Sequence, residues 1–150
     1  MGDRWAVSSL FALLLAASLV LASCGSSGPE ADVEITGSMQ ANAASTGGTC
    51  EKAANQSQDG MLASFYVDLG GLLYGLRFLT DHDGPGTDTV SDDATFVALN
   101  GEGPGWSTLT DDAGRLVVAK DGRSGTLDAV LTPEPSNHSG PIRVIASWHC

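Results

Sequence analysis

Three groups of residues in this chain have types and spacing suited to chemistry: a run of carboxylates, three histidines and three cysteines. The carboxylates crowd into Asp81-His82-Asp83-Gly84-Pro85-Gly86-Thr87-Asp88 and continue to Asp92-Asp93. Carboxylates set between glycines suit a hard cation such as calcium, which takes about six to eight oxygens from a tightly turned backbone. Asp81, Asp83 and Asp88 are weak candidate ligands. Against the EF-hand template the pattern fails, because Pro85 stands at the fifth position and no glutamate stands at the twelfth. The favoured alternative is a solvated hairpin loop in which Asp and Gly supply turn chemistry, so no metal or cofactor is assigned. His82, His138 and His149 are too scattered for a chelate. No Gly-x-Ser-x-Gly elbow ranks one serine above the others as a nucleophile. Glu102, Asp111 and Asp112 offer carboxylates without a readable separation. The expectation is a protein without enzymatic activity.

The first cysteine sits in a different context. An apolar run from Trp5 to Val20, broken only by Ser8, Ser9 and Ser18, follows the short segment Met1-Gly2-Asp3-Arg4. That layout is a secretory signal peptide, too short and too abruptly ended to be a membrane span. It leads into Leu21-Ala22-Ser23-Cys24, which resembles the lipobox of bacterial lipoproteins. The resemblance implies cleavage before Cys24, a diacylglycerol on its thiol and acylation of the new amino group. Two or three acyl chains hold a protein far better than one, since each buried CH2 adds roughly 0.8 kcal/mol. With Cys24 consumed, Cys50 and Cys150 remain in a compartment where disulfides persist, and they are expected to pair. No Cys-x-x-Cys spacing points to a redox dithiol or a zinc knuckle.

Charge narrows the partners. Seven Lys and Arg face eighteen Asp and Glu, a net charge of -11. Such a surface repels phosphate backbones, so nucleic acid is excluded as a partner. It also repels anionic headgroups, so attachment to a membrane falls to the acyl chains.

The elements that would carry these residues read as strands. Residues 1–23 form the signal peptide, 24–32 the lipidated cysteine and a short tether, and 33–150 one extracytoplasmic domain. Val33 and Ile35 alternate with Glu34 and Thr36 as in a first strand. Residues 40–48, rich in Ala, Asn, Ser, Thr and Gly, read as a loop, and 51–58 as at most a short helix. Met61, Ala63, Phe65, Val67 and Leu69 share one strand face, with Ser64, Tyr66 and Asp68 on the other. Gly70-Gly71 is a hairpin dipeptide, so 72–79 should return antiparallel, with Leu72, Tyr74, Leu76 and Phe78 on one face. Further strands are expected at 94–99, 106–109, 115–120, 126–131 and 142–148, with a turn at Lys120-Asp121-Gly122 and an exposed proline-rich excursion over 133–141. Short strands at this spacing predict an all-β fold, an antiparallel β-sandwich or small barrel closed by one disulfide. A bridge from Cys150, directly after the last strand, would stop that strand from fraying. Trp148 is expected in the core, whereas the glycine-flanked Trp106 fits either a core or a semi-exposed position.

In layout the chain resembles the small mycobacterial and actinobacterial lipoprotein antigens, the LpqH-type or nineteen-kilodalton antigen family. The resemblance rests on the lipobox, the Val33-Glu34-Ile35 strand, and mature cysteines in the first third and at the end. It also rests on the Lys120-Asp121-Gly122 turn, the strand opened by Gly125-Thr126, the proline-rich loop and the β-branched run into Cys150. It covers most of the mature chain in layout and little of it in identity. It implies a disulfide-closed, β-rich domain on the outer face of the cell membrane, with no catalytic residues to carry across. The chain departs from the family in its short tether and its acidic insertion.

Together these features predict a palmitate-bearing lipoprotein, anchored to the cell membrane through lipid, that acts through its surface on an envelope or host protein. The alternative is an envelope binding module for a small apolar or lipid ligand, motivated by the crowding of Leu69, Leu72, Leu73, Tyr74, Leu76, Phe78 and Leu79. A continuous apolar cavity of about 300 Å3 or more would favour that alternative. An ordinary buried hairpin is the favoured explanation of the crowding.

Overall fold

Alternation of inward apolar and outward polar residues is the rule that builds this chain. In the last strand it reads Ile142, Val144, Ala146 and Trp148 buried, with Arg143, Ile145, Ser147 and His149 outward. The computed structural model describes residues 28–53, 60–80, 83–90, 95–109 and 112–150. Among them are ten strands and no helix: β1 (Glu30–Gly37), β2 (Ala41–Lys52), β3 (Met61–Asp68), β4 (Leu73–Leu79), β5 (Gly86–Thr89), β6 (Val97–Gly101), β7 (Trp106–Ser107), β8 (Gly114–Val118), β9 (Ser124–Pro133) and β10 (Ile142–His149).

Eight of these close into an antiparallel barrel in the order β10-β1-β2-β3-β4-β6-β7-β9, because β10 also pairs with β9 along its whole length. The far edge of β9 is shared. Residues 125–129 pair with β8 and residues 132–133 with β7, so β8 and β5 extend the sheet beyond the closed ring. Leu116 and Val118 of β8, and Val90 just after β5, join the same core. Closure gives every strand of the ring a paired neighbour on each side over at least part of its length, which is how a small β domain limits edge-to-edge association.

The interior is filled by side chains. Phe78 on β4 packs at a tilt against Phe65 of β3, 6.0 Å between ring centroids, and against Trp148 of β10, 5.3 Å between ring centroids. Strands β4 and β10 are opposite walls of the barrel, so this aromatic chain crosses its full width. Each buried side chain of this size stabilises the fold by about 1.5–3 kcal/mol. The expected alternation in β3 holds, with Ala63, Phe65, Val67 and Leu69 buried and Tyr66 and Asp68 exposed. Trp148 lies in the core as expected. Trp106 is buried too, and its indole nitrogen donates to the Gly140 carbonyl at 3.0 Å.

Several expectations need correction. Residues 41–48 are strand, not loop: small residues disguise the alternation, yet Ala41 and Ala43 face the core and Asn42 and Ala44 face out. A register shift between Ser45 and Gly47 bends β2, so residues 41–44 pair with β1 and 45–52 with β3. Glu51 and Lys52 end that strand and not a helix, while 54–59 lie outside the described residues. The tether is shorter than expected, since β1 begins at Glu30 and buries Ala31. Part of the acidic loop, Gly86–Thr89, is strand β5. Leu72 does not share the buried face of β4, being 42% exposed at the hairpin tip.

Candidate functional site

Both ends of the barrel and one outer face bring together the residues with chemical potential. At one end the chain enters β1 and β10 leaves it. Glu30 pairs with His149, and Pro29 lies against Gly48 of β2. Here Cys50 and Cys150 form a disulfide with their Cα atoms 5.9 Å apart. Cys50 lies late in β2, where β2 has outrun β1, so Cys150 reaches it across the gap that β1 leaves. The Cys150 backbone is fixed from the other side: its N–H donates to the Arg123 carbonyl and its carbonyl accepts from the Arg123 guanidinium, both at 2.6 Å. Arg123 is held by the β8–β9 turn, in which Gly122 adopts a φ of +65°. The Asp121 carboxylate accepts from the N–H groups of Arg123 and Ser124 and from the Ser124 hydroxyl. Those bonds, the Arg123 N–H first, hold the Asp121 carboxyl below the usual carboxylate range. A groove of about 500 Å3 opens beside the disulfide, lined by Met61, Lys52 and Arg123 among others.

The acidic loop does not form a cation cage among the described residues. Asp83 faces Lys52 at 2.8 Å, and Asp88 is buried on β5 opposite Leu116. Asp81, His82, Asp92 and Asp93 lie outside the described residues, as do Asp111 and Cys24. No group of three or more His, Cys, Asp or Glu able to hold a metal occurs among the described residues. His138 sits in the proline-rich loop and His149 on the outer face of β10. Glu102 and Asp112, weighed above as acid–base candidates, serve as loop caps: Glu102 accepts from the Leu73 N–H at 3.1 Å, and Asp112 from the Leu109 N–H at 2.8 Å and the Thr132 hydroxyl at 2.9 Å.

The crowded hairpin divides into two surfaces. Tyr74, Leu76, Phe78 and Leu79 are buried, whereas Leu72 and Leu73 are exposed beside the Gly70-Gly71 turn. Both turn glycines have positive φ, +73° and +91°, as the tight two-residue hairpin requires. Burial raises the Tyr74 phenol above its ordinary value, so it stays a neutral core residue.

Compared with protein-family models, curated proteins and solved structures, the chain has no match. The functional reading therefore rests on its own surface.

On that surface the outer face of β2, β3, β4 and β6 carries an open groove of about 630 Å3. It runs past Tyr66, 46% exposed, and Leu73, 47% exposed, with Arg77, Glu51 and Asn100 along its sides. In register, Tyr66 stands between Gly47 of β2 and Gly75 of β4, and Gly75 stands opposite Asn100. Sequence reading placed Tyr66 only on a wet strand face. The readable signal is Gly75, a glycine in the middle of a strand otherwise built of large side chains, where it packs nothing. A second groove, of about 570 Å3, crosses β2, β1 and β10 past Asp32, Glu34 and Ile145. Both grooves are open to solvent.

Proposed function

We propose that the protein is a lipid-anchored lipoprotein of the cell envelope, related in layout to the LpqH-type antigens, that acts by surface recognition without catalysing a reaction. The observation that carries this reading is cysteine parity. Cys50 and Cys150 are paired with each other, which leaves Cys24 as the one remaining thiol, placed after an apolar run and two small residues. A disulfide closing a loop of this span belongs to an oxidising compartment, which agrees with export.

The fold supports a defined orientation. Cys24 precedes Gly28 by four residues, and extended chain spans at most about 3.3–3.6 Å per residue. The disulfide end would then face the bilayer closely, and the Gly70-Gly71 hairpin would face away. The alternative module for an apolar ligand draws less support, since the aromatic chain from Phe65 to Trp148 fills the barrel where a ligand cavity would lie. Metabolic labelling with a fatty-acid probe tests the anchor. Label should enter the wild-type chain and be lost from Cys24→Ala; equal labelling of both would refute the reading.

A further inference from the structure

The groove around Tyr66 combines an aromatic ring, an open floor and two charged side chains, Arg77 and Glu51, that bond no group of the described chain. A Cβ added at Gly47 meets nothing within 4 Å, and one added at Gly75 meets only the Asn100 carbonyl oxygen at 3.6 Å. The Tyr66 ring therefore covers neither glycine, and a slot stays open on each side of it. Gly47 has a backbone reason to be glycine, a φ of +155° at the β2 register shift. Gly75 has none: its φ is ordinary and no backbone crowds it. Glycine in a strand interior weakens the strand and often marks a bulge, a bend or a place where a ligand or another backbone approaches closely; at Gly75 the register runs without a shift on both sides.

The chemistry along the slot selects the ligand. The side chains of Arg77 and Glu51 form no ion pair or hydrogen bond within the described chain. Glu102 adds a second carboxylate at the end of the groove. Carboxylates on a chain of net charge -11 repel polyanions, and charged groups at the rim are poorly suited to an apolar tail. A pyranose ring matches both features, because it offers an apolar C–H face to an aromatic and a rim of hydroxyls to charged hydrogen-bonding groups. The groove volume, about 630 Å3, suits a ligand of a few rings.

We infer that the outer face of β2, β3, β4 and β6 binds a neutral oligosaccharide, with Tyr66 stacked on one sugar ring over Gly75 and with Arg77 and Glu51 bonding its hydroxyls. The inference rests on the envelope reading only for where such a glycan would be met.

The test uses the full chain in a zwitterionic detergent without sugar headgroups. Tetramers of β-1,4-linked N-acetylglucosamine and of α-1,4-linked glucose are titrated separately by calorimetry, with lauric acid as a third probe. Saturable binding of at least one tetramer is expected, weakened tenfold or more by Tyr66→Ala. Gly75→Val should weaken it similarly, by filling the slot, without lowering the melting temperature. The inference is overturned if neither tetramer saturates, if both variants bind as wild type does, or if lauric acid alone binds in a Tyr66-dependent way. Fatty-acid labelling of Cys24 is scored separately on the same preparations, so failure of the anchor and failure of the glycan site give different results.

Discussion

Cys50 and Cys150 are bonded although their strands are not neighbours, since β1 lies between β2 and β10 in the sheet. The bond therefore joins two strands that share no backbone hydrogen bonds, at the end where β1 begins. It closes a loop spanning a sequence separation of 100, for which the chain-entropy model gives up to about 4.7 kcal/mol. Reduction, or replacement of both cysteines by Ala, should cost about 2–5 kcal/mol in chemical denaturation. The end of β10 should fray first, and tryptophan emission should shift red as Trp148 meets water. Unchanged stability and emission after complete reduction would show that the barrel closes without the bond.

Two glycines on strands should respond to substitution in opposite directions. At Gly75 a new side chain meets only an oxygen at 3.6 Å, so Gly75→Thr should raise stability by about 0.5–1 kcal/mol through β propensity and lost unfolded-state freedom. At Gly125 a Cβ would collide with the Val117 carbonyl and, at 2.6 Å, with the Trp148 ring. Gly125→Ala should therefore cost about 1–3 kcal/mol, the usual penalty of overpacking. Melting of the two variants beside wild type checks both signs.

How much of this was readable in the sequence depended on how strongly each strand announced its two faces. In β3 and β10, large apolar residues alternate with polar ones, and both strands appear where expected. Strand β2 hid because its inward residues Ala41 and Ala43 differ little from their outward neighbours Asn42 and Ala44. Strand β5 hid because Gly-Thr-Asp-Thr is turn chemistry until β8 supplies its partner. Closure of the ring depends on Val33 pairing with Ala146, residues more than a hundred positions apart, and no local pattern encodes that. The Tyr66 groove was hidden for the same reason. The row Gly47, Tyr66, Gly75, Asn100 exists only once four separate segments are in register.

Acid should weaken one cross-strand pair. The Arg143 guanidinium donates from Nε and Nη2 to the two Asp128 oxygens at 2.7 and 2.6 Å, across β9 and β10. These bonds, with the Arg143 charge adding, hold the Asp128 carboxyl below its usual range against a smaller opposing effect of burial. A depressed folded-state value means that the pair's stabilisation is fully present above the unfolded value near pH 3.9 and is lost as pH falls through the folded value. Both side chains are about half exposed, so solvent screening limits the contribution to about 0.2–1 kcal/mol. Asp128→Asn should be less stable than wild type near pH 7 by that amount, and the difference should shrink as pH falls through the folded value. A difference that persists in acid would assign the effect to packing.

Calcium should leave the fold indifferent. A bound calcium ion takes about six to eight oxygens, whereas Asp83 faces Lys52 and Asp88 is buried on β5. Calcium added to the chain should not move the melting temperature beyond its scatter. A saturable rise that Asp83→Ala abolishes would restore the acidic segment as a cation site.

The two buried tryptophans should tolerate loss of the indole N–H unequally. Trp106 Nε1 donates to the Gly140 carbonyl and ties β7 to the proline-rich loop, whose Asn137 side chain also donates to the Gly105 carbonyl at 2.9 Å. Trp148 Nε1 is buried and has no hydrogen-bond partner among the described residues. Replacement by Phe removes similar apolar area at both positions, so the comparison isolates the polar atom. At Trp106 a bond worth about 1 kcal/mol is lost. At Trp148 the substitution removes an unpaired buried donor, whose desolvation costs about 1–3 kcal/mol. Trp148→Phe should therefore be the milder change, even though Trp148 packs on Phe78 at 5.3 Å in the centre of the barrel. Denaturation midpoints of the two variants decide it: a larger loss for Trp148→Phe would mean that aromatic packing across the barrel outweighs the unpaired N–H.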